Sequence, residues 1–119
     1  METAPAAAVR ATLVATVTTP PGEDLAAWAS SLAGVDWLEV RGDLVGDLDP
    51  ARLAPWFPGK LLYTLRSRAE GGAFEGSPER RRRRLIEAAG AYDLVDLEAA
   101  RDLTLDVLRA VPEAKRVIS

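Results

Sequence analysis

The residues of this chain that are equipped for chemistry sit at the ends of apolar runs. Lys60-Leu-Leu-Tyr-Thr-Leu-Arg66 finishes in an arginine, and the polar segment behind it, Ser67-Arg-Ala-Glu-Gly-Gly72, adds Arg68, Glu70 and a glycine pair. The same construction recurs upstream in Asp36-Trp-Leu-Glu-Val-Arg41, which delivers Glu39 and Arg41. It recurs downstream in Tyr92-Asp-Leu-Val-Asp-Leu-Glu98, which delivers Asp96 and Glu98. Guanidinium forks suit carboxylate and hydroxyl oxygens, and carboxylates accept from hydroxyls. Gathered in one place, these groups describe a site for a small, hydroxyl-rich, anionic metabolite. The competing reading is that Glu39, Arg41, Arg66 and Glu98 only pair with one another as a buried ion network. The chain has no histidine and no cysteine. It therefore brings no imidazole for proton transfer, no thiolate nucleophile and no Cys-type zinc site of its own.

The elements that must position these groups follow from periodicity. Thr12 to Thr18, Asp36 to Arg41, Lys60 to Arg66, Tyr92 to Glu98 and Lys115 to Ser119 read as strands, β-branched or alternating. Between them, Glu23 to Leu32 places Leu25, Trp28, Ala29 and Leu32 at helical spacing and stops before Gly34. Asp49 caps a short helix opened by Pro50 and running to Phe57, after a loop over Gly42 to Leu48. Ser77 and Pro78 open a helix that runs to Ala89, and Arg101 to Ala110 forms the next. The loop Ser67 to Gly76 holds three glycines and is expected to be mobile without a ligand.

Five strands with four intervening helices, at steps of 23 to 32 residues, are the pattern of βαβ units and a parallel sheet. No GxGxxG or P-loop is present, so a nucleotide-binding doubly wound fold has no support. The expected architecture is α/β, a partial (β/α)8 TIM barrel, with a flexible arm over 1–11 and the barrel portion over 12–119. Alternation splits each strand into two faces. Leu13, Ala15, Val17, Leu38, Val40, Leu61, Tyr63, Leu65, Val95 and Leu97 would meet the helices. Thr16, Thr18, Glu39, Arg41, Thr64, Arg66, Asp96 and Glu98 would share the interior, which grows more polar toward the strands' C-terminal ends.

Over 119 residues, 48% apolar and 28% charged, the composition is that of one globular domain. The net charge of -3 favours neither a nucleic acid nor a membrane partner. The five-arginine run Arg80 to Arg84 reads as a solvated helix face, and Trp28, Trp37 and Trp56 as packing residues. Asp43 and Asp47 lack calcium-loop spacing. With no signal-peptide pattern and no apolar run of membrane length, a cytoplasmic location is expected.

Several segments resemble type I 3-dehydroquinate dehydratase, a shikimate-pathway barrel enzyme. They are Leu38-Glu-Val-Arg41 with Asp43, Leu62-Tyr-Thr-Leu-Arg66 with Ser67 and Glu70-Gly-Gly72, Asp93-Leu-Val-Asp-Leu-Glu98, and Arg116-Val-Ile-Ser119. They follow family order from Thr12 onward. The resemblance implies dehydration of 3-dehydroquinate to 3-dehydroshikimate through a lysine imine, with a histidine moving protons and with no metal or organic cofactor. It implies that Glu39 and Arg41 contact substrate hydroxyls, that Arg66 binds the substrate, and that Glu70 orients the catalytic histidine. Thr16 matches a pocket-lining serine, and Glu98 supports the site.

The family's histidine follows the fifth strand and its imine lysine lies on a later one, whereas Lys60 and Lys115 here stand at strand starts. The expectation is a chain inactive alone, either one half of a split or longer enzyme completed by a C-terminal half, or a homodimeric, non-catalytic binding or assembly module on the same scaffold. A small α/β hydrolase is disfavoured, since neither a nucleophile elbow nor a triad histidine is present.

Overall fold

The computed structural model describes residues 10–46 and 48–119. Most of the expected arm over 1–11, and Asp47, lie outside the described residues. Five strands, β1 (Val14–Val17), β2 (Trp37–Arg41), β3 (Lys60–Thr64), β4 (Leu94–Leu97) and β5 (Arg116–Ile118), form one sheet in the order β1-β2-β3-β4-β5. Every pairing is parallel and every neighbour is consecutive in sequence. Winding in one direction without reversal is what a barrel requires, and it separates this sheet from the doubly wound kind.

The helices are α1 (Leu25–Ser30), α2 (Gly42–Val45), α3 (Pro50–Leu53), α4 (Pro78–Ala89) and α5 (Leu105–Ala110). The segment after β2, read as a loop from sequence, coils into α2 because Arg41 and Gly42 lead directly from strand into a helical turn. The step from β2 to β3 therefore holds two short helices where one was expected. Side-chain caps start three of the helices. Asp24 accepts from the N–H of Ala27, Asp49 from Ala51, and Ser77 from Arg80. The helix expected from Arg101 begins only at Leu105, because the backbone over residues 101 to 104 is used in turns onto Glu98 and Asp102.

The face assignment made from alternation holds except at Leu13, which precedes β1 and is 51% exposed rather than packed against the helices. Val17, Leu38, Val40, Leu61, Tyr63, Leu65, Val95 and Leu97 join Leu53, Phe57, Leu85 and Val107 in one core between sheet and helices. Leu62 and Leu94, each 5% exposed, are buried on the opposite face, apart from that core. Trp28 packs against the core, but Trp56 is an exposed large apolar residue, contrary to the packing role expected of it. The arginine run is also not uniformly solvated, because Arg81, Leu85, Ala88 and Ala89 share the buried face of α4. Among the described residues no helix is long and apolar enough to cross a membrane.

Because Leu85 is fully buried and Arg83 exposed on the same helix, the two should respond very differently to truncation. Leu85→Ala is expected to lower unfolding free energy by about 2–5 kcal/mol in urea titration, and Arg83→Ala by no more than about 0.5 kcal/mol. Equal effects would mean that α4 does not pack by this face.

Candidate functional site

A polar stripe crosses the face of the sheet opposite the main core. Thr16 Oγ1 donates to Glu39 Oε1 at 2.9 Å and Thr64 Oγ1 to Glu39 Oε2 at 2.6 Å, so both carboxylate oxygens are held yet keep acceptor capacity. On β4 and the chain beyond β5, Ser119 Oγ donates to Asp96 Oδ2 at 2.9 Å. The stripe is not level. Glu39 is in register with Leu62 but bonded to Thr64, two residues further on; Asp96 is in register with Val117 but bonded to Ser119, again two further on. Thr16, by contrast, is bonded to its register partner Glu39, so the offset belongs to particular pairs. The polar groups lie toward the C-terminal ends of β3 and β4, with Leu62 and Leu94 before them on the same strands.

At the rim, Glu98 is the hub. Its side chain is 1% exposed, and it accepts from Arg66 Nη1 at 2.8 Å, Arg101 Nε at 2.6 Å and the N–H of Ser67 at 3.1 Å. Burial pushes its carboxyl up, but Ser67, Arg66 and the charge of Arg81 prevail and hold it down at about 2. Arg66 Nη1 also lies 3.1 Å from Asp96 and donates to Ser119 Oγ at 3.1 Å. Asp96 goes the other way: burial, with a contribution from the Glu39 charge, lifts it above the usual aspartate value despite Ser119 and Arg66. Two neighbouring carboxyls thus differ in their readiness to hold a proton.

Arg41 does not join this cluster. Its Nε and Nη2 fork onto Asp43 at 2.9 and 2.7 Å. The Asp43 carboxylate, shielded from solvent, also accepts from the N–H groups of Ala73 at 3.0 Å and Arg66 at 3.3 Å. Burial raises its pKa, and these bonds more than reverse the rise. Asp43 thereby latches the loop after β2 to the loop after β3. The latter, expected to be mobile, is tied further by Gly72 N–H to Ser67 O at 2.8 Å and Phe74 N–H to Arg66 O at 3.1 Å. Gly71 closes its 3-10 turn at φ 86, and a Cβ on Gly72 would collide with the Arg66 carbonyl.

The structure brings Thr16, Glu39, Arg66 and Glu98 onto one face, links Glu70 to them through Arg101 at 3.2 Å, and sets Arg41 beside them on its own partner. The mutual pairing of Glu39, Arg41, Arg66 and Glu98 that the competing reading called for occurs, among the described residues, only between Arg66 and Glu98. Sequence reasoning missed Arg81 and Asp102. They form a buried fork at 2.7 and 2.8 Å directly behind Glu98, and the signal for them, an arginine in helical phase with Leu85 and Ala88, was masked by four more arginines around it. Lys60 begins β3, and Lys115 Nζ donates to the carbonyls of Ala89 and Tyr92 ahead of β4. Both lysines serve the opposite rim. A cavity of about 440 Å³ opens between the Ser67–Gly76 loop and the start of α4 and is lined by Arg68, Phe74 and Arg82, not by the stripe. No group of three or more metal-ligating side chains occurs among the described residues.

The sequence pattern of the family described as type I 3-dehydroquinase matches residues 13–119. The 3-dehydroquinate dehydratase of Methanothrix thermoacetophila is 41% identical over 66 residues, 55% of this chain and 29% of the relative. That of Methanothermobacter thermautotrophicus is 36% identical over 91 residues, 72% of this chain and 40% of the relative. Among solved structures, the type I 3-dehydroquinate dehydratase of Clostridium difficile with covalently modified comenic acid superposes with TM-score 0.71 at 20% identity, over 94% of this chain and 50% of that one. The enzyme of Enterococcus faecalis gives 0.67 at 24% identity, over 90% and 51%. At those identities the structures establish the fold, a partial (β/α)8 barrel. The chain spans less than half the length of the two curated relatives and about half that of the solved chains.

The two rim carboxyls give opposite pH signatures. Glu98, held at about 2 against an ordinary 4.5, contributes stability that is complete above 4.5 and is lost as pH falls from there toward 2, on the order of 3 kcal/mol. Asp96, raised in the fold, is relieved by protonation, so Asp96→Asn should raise the melting temperature at pH 7 and lose that advantage as the wild type protonates in acid. Thermal melts from pH 7 to pH 2 check both. Glu98→Gln should be less stable at pH 7 and should flatten the acid limb of the curve.

Proposed function

This chain belongs to the type I 3-dehydroquinase family, and we propose that it is the substrate-gripping portion of a 3-dehydroquinate dehydratase, converting 3-dehydroquinate to 3-dehydroshikimate through a lysine imine. The observation that carries the reading is the placement of Glu39, Arg66, Asp96 and Glu98 on one face, at the C-terminal ends of consecutive parallel strands. That rim is where barrel enzymes keep their chemistry.

Residues 12–119 are the working unit of this proposal. Glu39, backed by Thr16 and Thr64, accepts hydrogen bonds from substrate hydroxyls through its remaining lone pairs. Arg41, oriented by Asp43, offers Nη1, which makes no hydrogen bond among the described residues. Arg66 approaches the substrate with its guanidinium steadied by Glu98 and Asp96. Glu70, half-exposed on the rim, orients the histidine that moves protons. Thr16 lines the pocket and Glu98 supports it. The chain contains no histidine, and its two lysines face the other rim, so imidazole and reactive amine come from strands other than these five. No step calls for a metal or organic cofactor. Cytoplasmic residence is part of the same proposal.

A second reading, a non-catalytic assembly module, draws on the sheet edges. Val14 at β1 is 47% exposed and Ile118 at β5 is 52% exposed, so both edges offer apolar surface to a second copy. Light scattering separates the two. A stable homodimer indifferent to 3-dehydroquinate favours assembly.

Mixing this chain with a polypeptide carrying the later strands of a type I relative should restore dehydration, followed by the ultraviolet absorbance of the conjugated enone product. Arg66→Lys in that mixture should lower kcat/KM at least about tenfold, because a fork held by two carboxylates is replaced by a point charge. No turnover and no 3-dehydroquinate binding by a demonstrably assembled pair would reject the reading.

A further inference from the structure

One arginine of the α4 run reaches the site from behind the sheet. Arg81 is 6% exposed, and its Nε and Nη2 fork onto Oδ1 and Oδ2 of Asp102 at 2.7 and 2.8 Å. Its Nη1 donates to the carbonyl of Leu65 at 2.6 Å, one residue before Arg66. Asp102 Oδ2 in turn accepts the N–H of Glu98 at 2.8 Å. A single planar pair thus grips the main chain just past β3, at the Leu65 carbonyl next to Arg66, and just past β4, at the N–H of Glu98. Arg81 Nη2 also stands 3.4 Å from Glu98 Oε1, and the Phe74 ring covers the guanidinium at 5.7 Å.

We propose that Arg81 and Asp102 are positioning residues: by clamping both strand ends from the helix side, they set the direction in which Arg66 enters the site. The inference rests on the reading of Arg66 as a substrate ligand, although the clamp itself can be tested without it. Packing alone does not call for an ion pair here. Apolar residues of similar volume fill such a space at least as stably, so a buried fork is weak evidence of a stabilising role. What an apolar pair could not supply is two directed bonds to two different strand ends. Lysine at 81 would keep the charge and lose the plane that makes both contacts at once.

The fork also explains the reach of Arg66. Its Nη1 is shared by Glu98 at 2.8 Å, Asp96 at 3.1 Å and Ser119 Oγ at 3.1 Å. Those three acceptors sit on or after β4 and β5, while Arg66 itself follows β3. A small rotation of the β3 end relative to the β4 end would break all three contacts together, and the Arg81–Asp102 pair ties those ends across the helix side.

The test uses the full chain, labelled with nitrogen-15. In the wild type the Arg66 guanidinium protons should exchange slowly and resolve separately. In Arg81→Met/Asp102→Asn, which buries no unpaired charge, Arg66 exchange should rise at least tenfold while the backbone amides of Val95 and Leu97 keep their protection. Arg81→Lys should fall between the two. Should the double variant not fold, Arg81→Lys carries the comparison alone. Unchanged Arg66 exchange in a folded variant overturns the clamp. Adding the later strands and 3-dehydroquinate then reads the functional half: a raised KM with little change in kcat is expected. An inactive wild-type mixture would count against the proposed function while leaving the exchange result to decide the clamp.

Discussion

The upper end of this sheet is organised by the burial of one carboxylate. Taking an ionised carboxyl out of water costs several kcal/mol unless hydrogen bonds and opposite charge replace the lost solvation. Glu98, almost wholly buried, meets that requirement with Arg66, Arg101, the N–H of Ser67 and the nearby charge of Arg81. Those partners are drawn from three segments: Arg66 and Ser67 from the chain just after β3, Arg101 from the turn after β4, and Arg81 from α4 itself. Satisfying Glu98 therefore assembles the rim. The direction of its pKa, far below the ordinary glutamate value, shows that the replacement more than balances the burial.

The order of residues along the strands decides what the rest of the face can do. On this face β3 runs Leu62, Thr64, Arg66 and β4 runs Leu94, Asp96, Glu98, so polar groups collect at one end, with side-chain bonds offset from the backbone register between β2 and β3 and between β4 and β5. Leu62 and Leu94 are left as a dry floor beneath them. Low dielectric below strengthens the electrostatic contacts above. The same geometry accounts for the unlike behaviour of two acids two residues apart on one strand. Asp96, nearer the floor and facing Glu39, is pushed toward its neutral form, whereas Glu98, at the rim among guanidinium groups, is driven to ionise.

Much of this was legible in the sequence, because strand alternation is a period of two and each strand is short. Splitting β2, β3 and β4 into two faces was enough to put Glu39, Thr64, Arg66, Asp96 and Glu98 together and Leu38, Val40, Tyr63 and Val95 in the core. What could not be read was pairing, since partners are chosen in three dimensions. Arg41 turns to Asp43, two residues away, because the chain coils at once into α2 and brings that carboxylate back over the strand end. The loop after β3 looked free by its glycines, yet those glycines permit the close approach that ties it down. Arg81 was hidden for a compositional reason: in a run of five arginines, identity carries no phase, and only the positions of Leu85 and Ala88 mark which one faces inward.

The location of the amines limits what these five strands can do by themselves. Lys60 opens β3 and Arg66 follows its far end, so at a strand rise of about 3.3 Å per residue their Cα atoms are separated by roughly 20 Å. An extended lysine side chain covers only about 6 Å of that. Lys115 is closer to no better purpose, for its Nζ is spent on the carbonyls of Ala89 and Tyr92 where β4 begins. The imine of the proposed function thus needs an amine from strands other than these five. Such strands would meet a surface already arranged for them in one respect. Glu39 accepts from Thr16 and Thr64 on the neighbouring strands and keeps acceptor capacity beyond those two bonds. In the proposed function the grip on a hydroxylated acid and the groups that would transform it are separable, the first resting on consecutive strands and their alternation, the second on strands other than these five.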